Sequence, residues 1–465
     1  MRHLLGLAAA VALGGCASFS PDGGSAPVAQ AARQHLGAEF RAERSDADRD
    51  AARARVDELL RDELSADTAV QVALLAHRGL QADLAALSIA EADVIAAGRL
   101  PNPGFSFGRS RRGDEREIER SWHLNLARLV AMPWLRDIEQ RRFAQAQADA
   151  TTRLIAHAVE VRKAYWRALA AEQSERYALQ VMEAAEASAE LARRMAQVGN
   201  FNALQRAREQ AFYADAALGA ALAAQARQAS RERLIRALGL WGEQTAFRLP
   251  QRLPDLPEAA KDLPDIERAA LDQRLDVQAA RMAAEQTAKN LGLTKATRFV
   301  NVIELGLMRN GSNEAPPQTG WELGFELPIF DGGSVRMARV EGAYREAAFR
   351  AAQVAIDARS EVREAYGSYR SAYDIARHHR DEIVPLRQRI AEENLLRYNG
   401  MLIGVFELLA DARTQVASVI AAIDAQRDFW IAQADLDMAL IGKPSLAMPA
   451  GGASSTAAAT DAAAH

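Results

Sequence analysis

Two hydrophobic periods alternate along this chain. In GWELGFELP, Trp321, Leu323, Phe325 and Leu327 alternate with Glu322, Gly324 and Glu326, so one face is apolar and the other polar at period two, the pattern of a strand. FVNVIELGLM lies upstream of it, before the turn-rich RNGSNEAPPQT, and the two predict a hairpin over about 299–328 with a loop of about ten residues. A weaker copy is predicted over about 103–129. There PGFSFGRS and SWHLNLARL flank RRGDEREIER, with Phe105, Phe107, Trp122, Leu124 and Leu126 as the apolar set. The segment between, in which Arg109, Arg111, Arg112, Arg116 and Arg120 interleave with Asp114, Glu115, Glu117 and Glu119, reads as a mixed-charge outer loop.

Elsewhere the period is helical. No proline interrupts Trp134 to about Val198, and only Pro385 interrupts Asp331 to Asn399. A helix of about 65 residues reaches about 100 Å, far beyond a globular domain, and such a rod needs partners along its length. Ala347, Ala351, Val354, Ala358, Val362, Ala365, Tyr369, Ala372 and Ala376 form a heptad-like seam with one extra step of four, and Leu154, Ala158, Val161, Tyr165 and Ala168 form its counterpart. Alanine seams let helices approach closely, and the extra step relaxes supercoiling toward nearly parallel rods.

The pattern is also written twice, about 200 residues apart. LQADLAALSIAEADVIAAGRLPNPGFSFG is echoed by VQAARMAAEQTAKNLGLTKATRFVNVIELG, Met132-Pro133-Trp134-Leu135 by Leu327-Pro328-Ile329-Phe330, and QVGNFNALQRAR by YNGMLIGVFELLADAR. The predicted organisation is a signal segment 1–15, an N-terminal arm 16–66, a first repeat 67–242, a Pro-rich linker 243–266, a second repeat 267–443 and a disordered tail 444–465. The fold class is mainly α with four β-strands per chain. Strands of about ten residues with one apolar face have the length that crosses an outer membrane when tilted, but the smallest single-chain barrels have about eight strands. An open sheet edge in lipid is prohibitively costly, so several chains must share a barrel, and three would supply twelve strands.

Composition narrows the function. Lys and Arg number 57 against 61 Asp and Glu, which leaves no single-sign field of the kind that wraps nucleic acid. Half the residues are apolar (49%) and there is one cysteine, which excludes a disordered chain and a disulfide-stapled one. The opening MRHLLGLAAAVALGGCASFS has a basic start, an apolar run of roughly ten residues, and small residues before Cys16. That run is too short to span a bilayer and reads as an export signal. Leu13-Gly14-Gly15-Cys16 resembles the lipobox of bacterial lipoproteins, which implies lipidation of Cys16 and a lipid anchor; Ala17, where an Asp would resemble an inner-membrane retention signal, implies delivery to the outer membrane of a Gram-negative bacterium. G-x-S-x-G, H-E-x-x-H, C-x-x-C and G-x-x-x-x-G-K-[ST] are absent, so no catalytic residue, cofactor or resident metal is expected. His378 and His379, about 100° apart on a helix, read as surface residues.

In order, LSADTAVQVAL, LPNPGFSFG, GNFNALQRAREQ, the Pro-rich joint, ELPIFDGG and YNGMLIGVFELLADAR resemble the TolC-type outer-membrane efflux channel family, over about Leu64 to Gly442. The resemblance implies a homotrimer whose twelve-stranded barrel continues into a long α-helical coiled-coil tunnel through the periplasm. It implies a passive exit duct that docks on a periplasmic adaptor, which connects it to an inner-membrane transporter of the resistance-nodulation-division type. Gly199, Asn200, Phe201, Gly400, Met401 and Leu402, at the two helix reversals, would be the adaptor-docking tips, with the glycines supplying left-handed backbone. Glu407 and Asp411, four apart on the returning helix, would repeat as acidic rings at a periplasmic gate. Glu407 ranks first, because paired acids in the family are commonly spaced by three and that position here is Ala410. The GNFNALQRAREQ and YNGMLIGVFELLADAR blocks resemble members associated with metal efflux, which points to heavy-metal ions as cargo. Two rival readings remain at this level. A periplasmic adaptor would need one hairpin in a β-rich domain, against the duplication, and a coiled-coil lipoprotein without a pore would leave the strands unexplained.

Overall fold

A computed structural model describes residues 18–297, 303–325 and 332–444. Cys16 and the signal segment, the junction Leu327-Pro328-Ile329-Phe330 and nearly all of the tail lie outside the described residues. The elements run α1 (Ala26–Ala31), α2 (Asp46–Leu59), α3 (Ala66–Ala76), α4 (Arg78–Ala97), β1 (Gly104–Arg112), β2 (Glu115–Asn125), α5 (Leu126–Gln197) and α6 (Ala203–Leu238). After the linker come α7 (Ile266–Gln273), α8 (Leu275–Thr297), β3 (Ile303–Ser312), β4 (Gln318–Phe325), α9 (Ser334–His378), α10 (Val384–Asn399) and α11 (Val405–Ile441). No helix among the described residues is long and apolar enough to cross a membrane.

The chain forms two compact units, each assembled from pieces of both sequence halves. The first comprises Met1–Ala54, His77–Ile155 and Leu271–Arg359, and holds the sheet. On α4, Leu80, Leu84, Leu87 and Ile95 recur at helical spacing and are buried. Glu91 continues that stripe, and its carboxylate accepts a hydrogen bond from the Ser20 backbone N–H at 2.7 Å, so the buried acid ties the N-terminal arm to the helix. Gly24 is held twice over: its φ is +77°, and a Cβ there would lie 2.3 Å from the Phe143 ring.

The second unit comprises Arg55–Ala76, Ala156–Ala270 and Ser360–His465. Val362, Ala365, Tyr369, Tyr373 and Ala376 bury one face of α9 against Phe429, Leu436 and Ala439 of α11, together with Ile266 and Ala270 of α7. Here the alanine seam faces the core, and Ala158, Val161, Tyr165 and Ala168 of α5 are likewise buried. Tyrosine hydroxyls pin the Pro-rich linker to this core. Tyr369 Oη accepts from the Lys261 N–H at 3.0 Å, Tyr373 Oη donates to the Glu258 carbonyl at 2.9 Å, and Trp430 Nε1 donates to the Pro254 carbonyl at 3.1 Å.

The four strands form one antiparallel sheet in the order β1-β2-β3-β4. Several boundaries differ from those the pattern predicted. The charged segment 109–120 is strand, not outer loop: β1 and β2 run through it to a turn at Gly113 and Asp114, with Gly113 at φ +62°. Its alternation is of charge sign, with Arg116, Ile118 and Arg120 on one face of β2 and Glu115, Glu117 and Glu119 on the other, so a hydrophobicity pattern does not register it. The loop of the second hairpin shrinks to residues 313–317, because the ladder between β3 and β4 takes in the polar residues Arg309, Asn310, Gln318 and Thr319. Leu126 opens α5 instead of ending a strand, because Asn125 caps the helix by accepting the Arg128 N–H at 2.8 Å. α5 therefore takes in Pro133 and runs 72 residues, about 108 Å. The second rod is broken by a π-turn at His379–Ile383, after which Pro385 falls in the first turn of α10, where its missing N–H costs no helical bond. His379 is half-buried in that turn, unlike exposed His378, and burial together with the neighbouring His378 charge lowers its pKa.

Candidate functional site

The sheet carries the first functional surface. Its register sets Phe105, Trp122, Leu307 and Trp321 side by side across all four strands. Each is exposed, from 44% for Trp122 to 71% for Trp321. Leu124, Leu305 and Leu323 make the adjoining row. On the opposite face the same strands present Ser106, Gly108, Ser121, His123, Gly306, Asn310, Gly320 and Glu322. A water-soluble sheet buries its apolar face; this one exposes it over four strands and keeps the polar face small and hydrogen-bonding, as in Ser106 to Ser121 at 2.5 Å. The outer edges of β1 and β4 pair with no further strand among the described residues.

The helix reversals carry the second. At the first, Asn200 N–H reaches the Met195 carbonyl at 2.9 Å and Gly199 sits at φ +82°, with open space around the position of its missing Cβ. The chain then re-enters a helix through a capping box: Asn202 Oδ1 accepts from the Gln205 N–H and Gln205 Oε1 accepts from the Asn202 N–H, both at 2.8 Å. Asn200 is exposed, Phe201 is half-buried, and Val198 is exposed beside them. At the second reversal the expected role of Gly400 is corrected. Gly400 has φ −81°, and Met401 takes the left-handed conformation at φ +58°, the one non-glycine residue to do so among those described. Leu402 N–H closes this turn on the Arg397 carbonyl at 2.8 Å. Met401 is 92% exposed and Leu402 76%, so both tips end in uncovered apolar side chains.

Past the second tip, Glu407 and Asp411 both lie on α11, though the Glu407 side chain is outside the described residues. Asp411 is half-buried, and its Oδ2 accepts a hydrogen bond from Nδ2 of Asn394, a buried residue of α10. Two residues on, the Arg413 guanidinium lies 4.5 Å from the centre of the Phe212 ring and donates to the Arg208 carbonyl, so α11 is clipped to α6 as well. No group of three or more His, Cys, Asp or Glu among the described residues could hold a metal ion.

No protein-family model matches the sequence, and no curated protein does. Solved structures do. CusC, a protein described as forming a transmembrane channel, is 16% identical with a TM-score of 0.66, over 82% of this chain and 92% of its own. A membrane protein from Pseudomonas aeruginosa is 20% identical with a TM-score of 0.69, over 83% of this chain and 93% of its own. The open-state MtrE outer membrane channel of Neisseria gonorrhoeae is 17% identical with a TM-score of 0.67, over 83% and 89%. The chain has the TolC-type channel fold. Within that fold, three residues matter that the hydrophobic pattern did not single out. Asn125 and Asn202 start helices, and the N-x-x-Q spacing of Asn202 and Gln205 was the signal for the second. Asn394, about two turns before the tip, carried no signal, because its partner Asp411 lies on the next helix.

Proposed function

We propose that this chain is the outer-membrane exit duct of a tripartite efflux system, working as a homotrimer. The observation that carries the reading is a four-stranded sheet with an exposed apolar face and two outer edges that pair with no further strand among the described residues. In lipid each unpaired edge group costs several kcal/mol, and joining β4 of one copy to β1 of the next removes every edge. Three copies give twelve strands, with the apolar rows toward lipid and the Ser, Gly, Asn and Glu face toward the lumen. The channel neighbours support this, as does the length of α5, 72 residues.

The exposed tips suit a partner. Gly199, Asn200 and Phe201, with Gly400, Met401 and Leu402, form the rim that meets a periplasmic adaptor, and through it a resistance-nodulation-division transporter in the inner membrane. Glu407 and Asp411 form acidic rings at the periplasmic gate, and Asp411 is released for that role when its bond to Asn394 opens. Cys16 carries the lipid anchor, in an N-terminal arm 16–66 ahead of the repeats 67–242 and 267–443 and their linker. The duct transforms nothing, and its cargo is set by the transporter; the two tip blocks favour heavy-metal ions.

The test is the mass of the full chain in detergent together with its conductance in a planar bilayer. A trimer that opens cation-selective steps is expected. A monomer without conductance would instead establish a coiled-coil lipoprotein without a pore. Deleting the gene and measuring accumulation of copper, silver, zinc, cobalt and hydrophobic drugs then assigns the cargo: metal-selective accumulation is the expected result, and a drug-only phenotype removes the metal reading.

A further inference from the structure

We propose that five arginines at the turn end of the sheet's apolar face, Arg109, Arg111, Arg116, Arg120 and Arg309, bind the phosphate groups of the lipid leaflet that surrounds the turns. The proposal rests on the membrane reading above and adds to it which lipid chemistry the sheet recognises. Starting from the Phe105, Trp122, Leu307 and Trp321 row, the next row toward the turns holds Phe107, Arg120, Arg309 and Thr319. The row after that holds Arg109, Ile118 and Gly311, and the last holds Arg111 and Arg116. Residues two apart share a face and lie about 6.8 Å apart along a strand, so within about 20 Å the lipid-facing surface changes from wholly apolar to wholly basic.

The electrostatics of this patch are unbalanced within the chain. Arg120 stands directly opposite Arg309, and Arg111 directly opposite Arg116. Like charges in register across strands destabilise a sheet unless an anion lies between them. The carboxylates that could neutralise them, Glu115, Glu117 and Glu119, point to the other face of β2. Among the described residues the one ion pair of the five is Arg111 with Asp114, at 3.9 Å, and all five side chains are exposed. A fixed anion layer beside the apolar rows resolves this. Lipid phosphates lie at the edge of the hydrocarbon, where an arginine stem can rest on acyl chains while its guanidinium donates two parallel hydrogen bonds to a phosphate. Continuity with the apolar rows selects a lipid phosphate as the occupant, since any other anion would have to reach a surface that lipid already covers.

The full chain, purified in an uncharged detergent, is to be titrated with bisphosphorylated lipid A and with its dephosphorylated form, and the lipid retained per chain read by native mass spectrometry. At least tenfold tighter retention of the phosphorylated form is expected, reduced in high salt. Changing all five arginines to glutamine should abolish the preference, and changing them to lysine should restore part of it, because charge returns without the paired donors. Equal retention of the two lipids by the unaltered chain overturns the proposal, and that comparison requires no variant to fold. If the unaltered chain conducts in bilayers yet ignores the phosphates, this inference alone fails; if it neither forms trimers nor enters bilayers, the duct reading falls and takes this inference with it.

Discussion

At Met401 the fold asks a side chain to do what glycine usually does. A left-handed backbone costs a non-glycine residue about 1–2 kcal/mol, yet Gly400 next door stays at φ −81°. At the other tip the conformation falls on Gly199, where a Cβ would meet nothing, so backbone strain is the only penalty for a side chain there. The two tips therefore respond in opposite senses. G199A should destabilise by about 1 kcal/mol, the strain less the entropy that alanine removes from the unfolded chain. M401G should be neutral or stabilising by up to about 1 kcal/mol. Thermal unfolding followed by circular dichroism of the full chain in detergent gives the order, and a G199A chain as stable as the unaltered one would contradict the turn geometry. Keeping Met401 despite its cost is consistent with a tip that uses its exposed thioether for contact.

At the scale of elements, the helices are held by buried polar contacts as well as by alanine seams. Lys163 of α5 is 1% exposed and its Nζ lies 2.8 Å from Oδ1 of Asp435 on α11 and 3.2 Å from Glu160. Burial raises the Asp435 carboxyl pKa even though Lys163 pulls it down, so desolvation outweighs the pair's attraction at the carboxylate. Such a pair contributes little net stability but is costly to break. K163M should lose about 3–5 kcal/mol by leaving Asp435 buried without its partner, whereas K163M/D435L should recover most of that loss. A double-mutant cycle from denaturant unfolding measures it, and strict additivity would mean that the two side chains do not interact.

For the whole molecule the decisive property is that the sheet has two chemically opposite faces, and substitutions one residue apart should therefore diverge. Leu307 lies in the apolar row and Met308 faces the polar side. L307K should cost up to about 2–4 kcal/mol in lipid and strip the chain from the outer-membrane fraction. M308K, on the face that the proposed duct turns toward its lumen, should leave membrane insertion intact and alter only conductance. Fractionation of cells expressing each variant reads the difference, and equal membrane recovery of both would mean that the faces are assigned wrongly.

Sequence alone determined what local periodicity encodes: the long proline-poor rods, the buried stripe from Ala358 to Ala376, the hairpins that flank Gly113 and the 313–317 loop, and the glycine reversal at Gly199. These are legible because a helix or strand buries residues at its own repeat, whatever it packs against. Tertiary structure decided the rest. The run from Arg109 to Arg120 became strand on either side of the Gly113–Asp114 turn because β1 pairs with β2 along its length and β2 pairs with β3 as far as Glu117, and pairing is invisible to a single segment. The left-handed residue moved from Gly400 to Met401 because the turn closes where Leu402 N–H meets the Arg397 carbonyl, a bond fixed by where the next helix returns. Asp411 found Asn394, and Lys163 found Asp435, across 17 and 272 residues of chain. Separations of that kind are set by the packing of whole helices, and the period within any one helix does not reveal them.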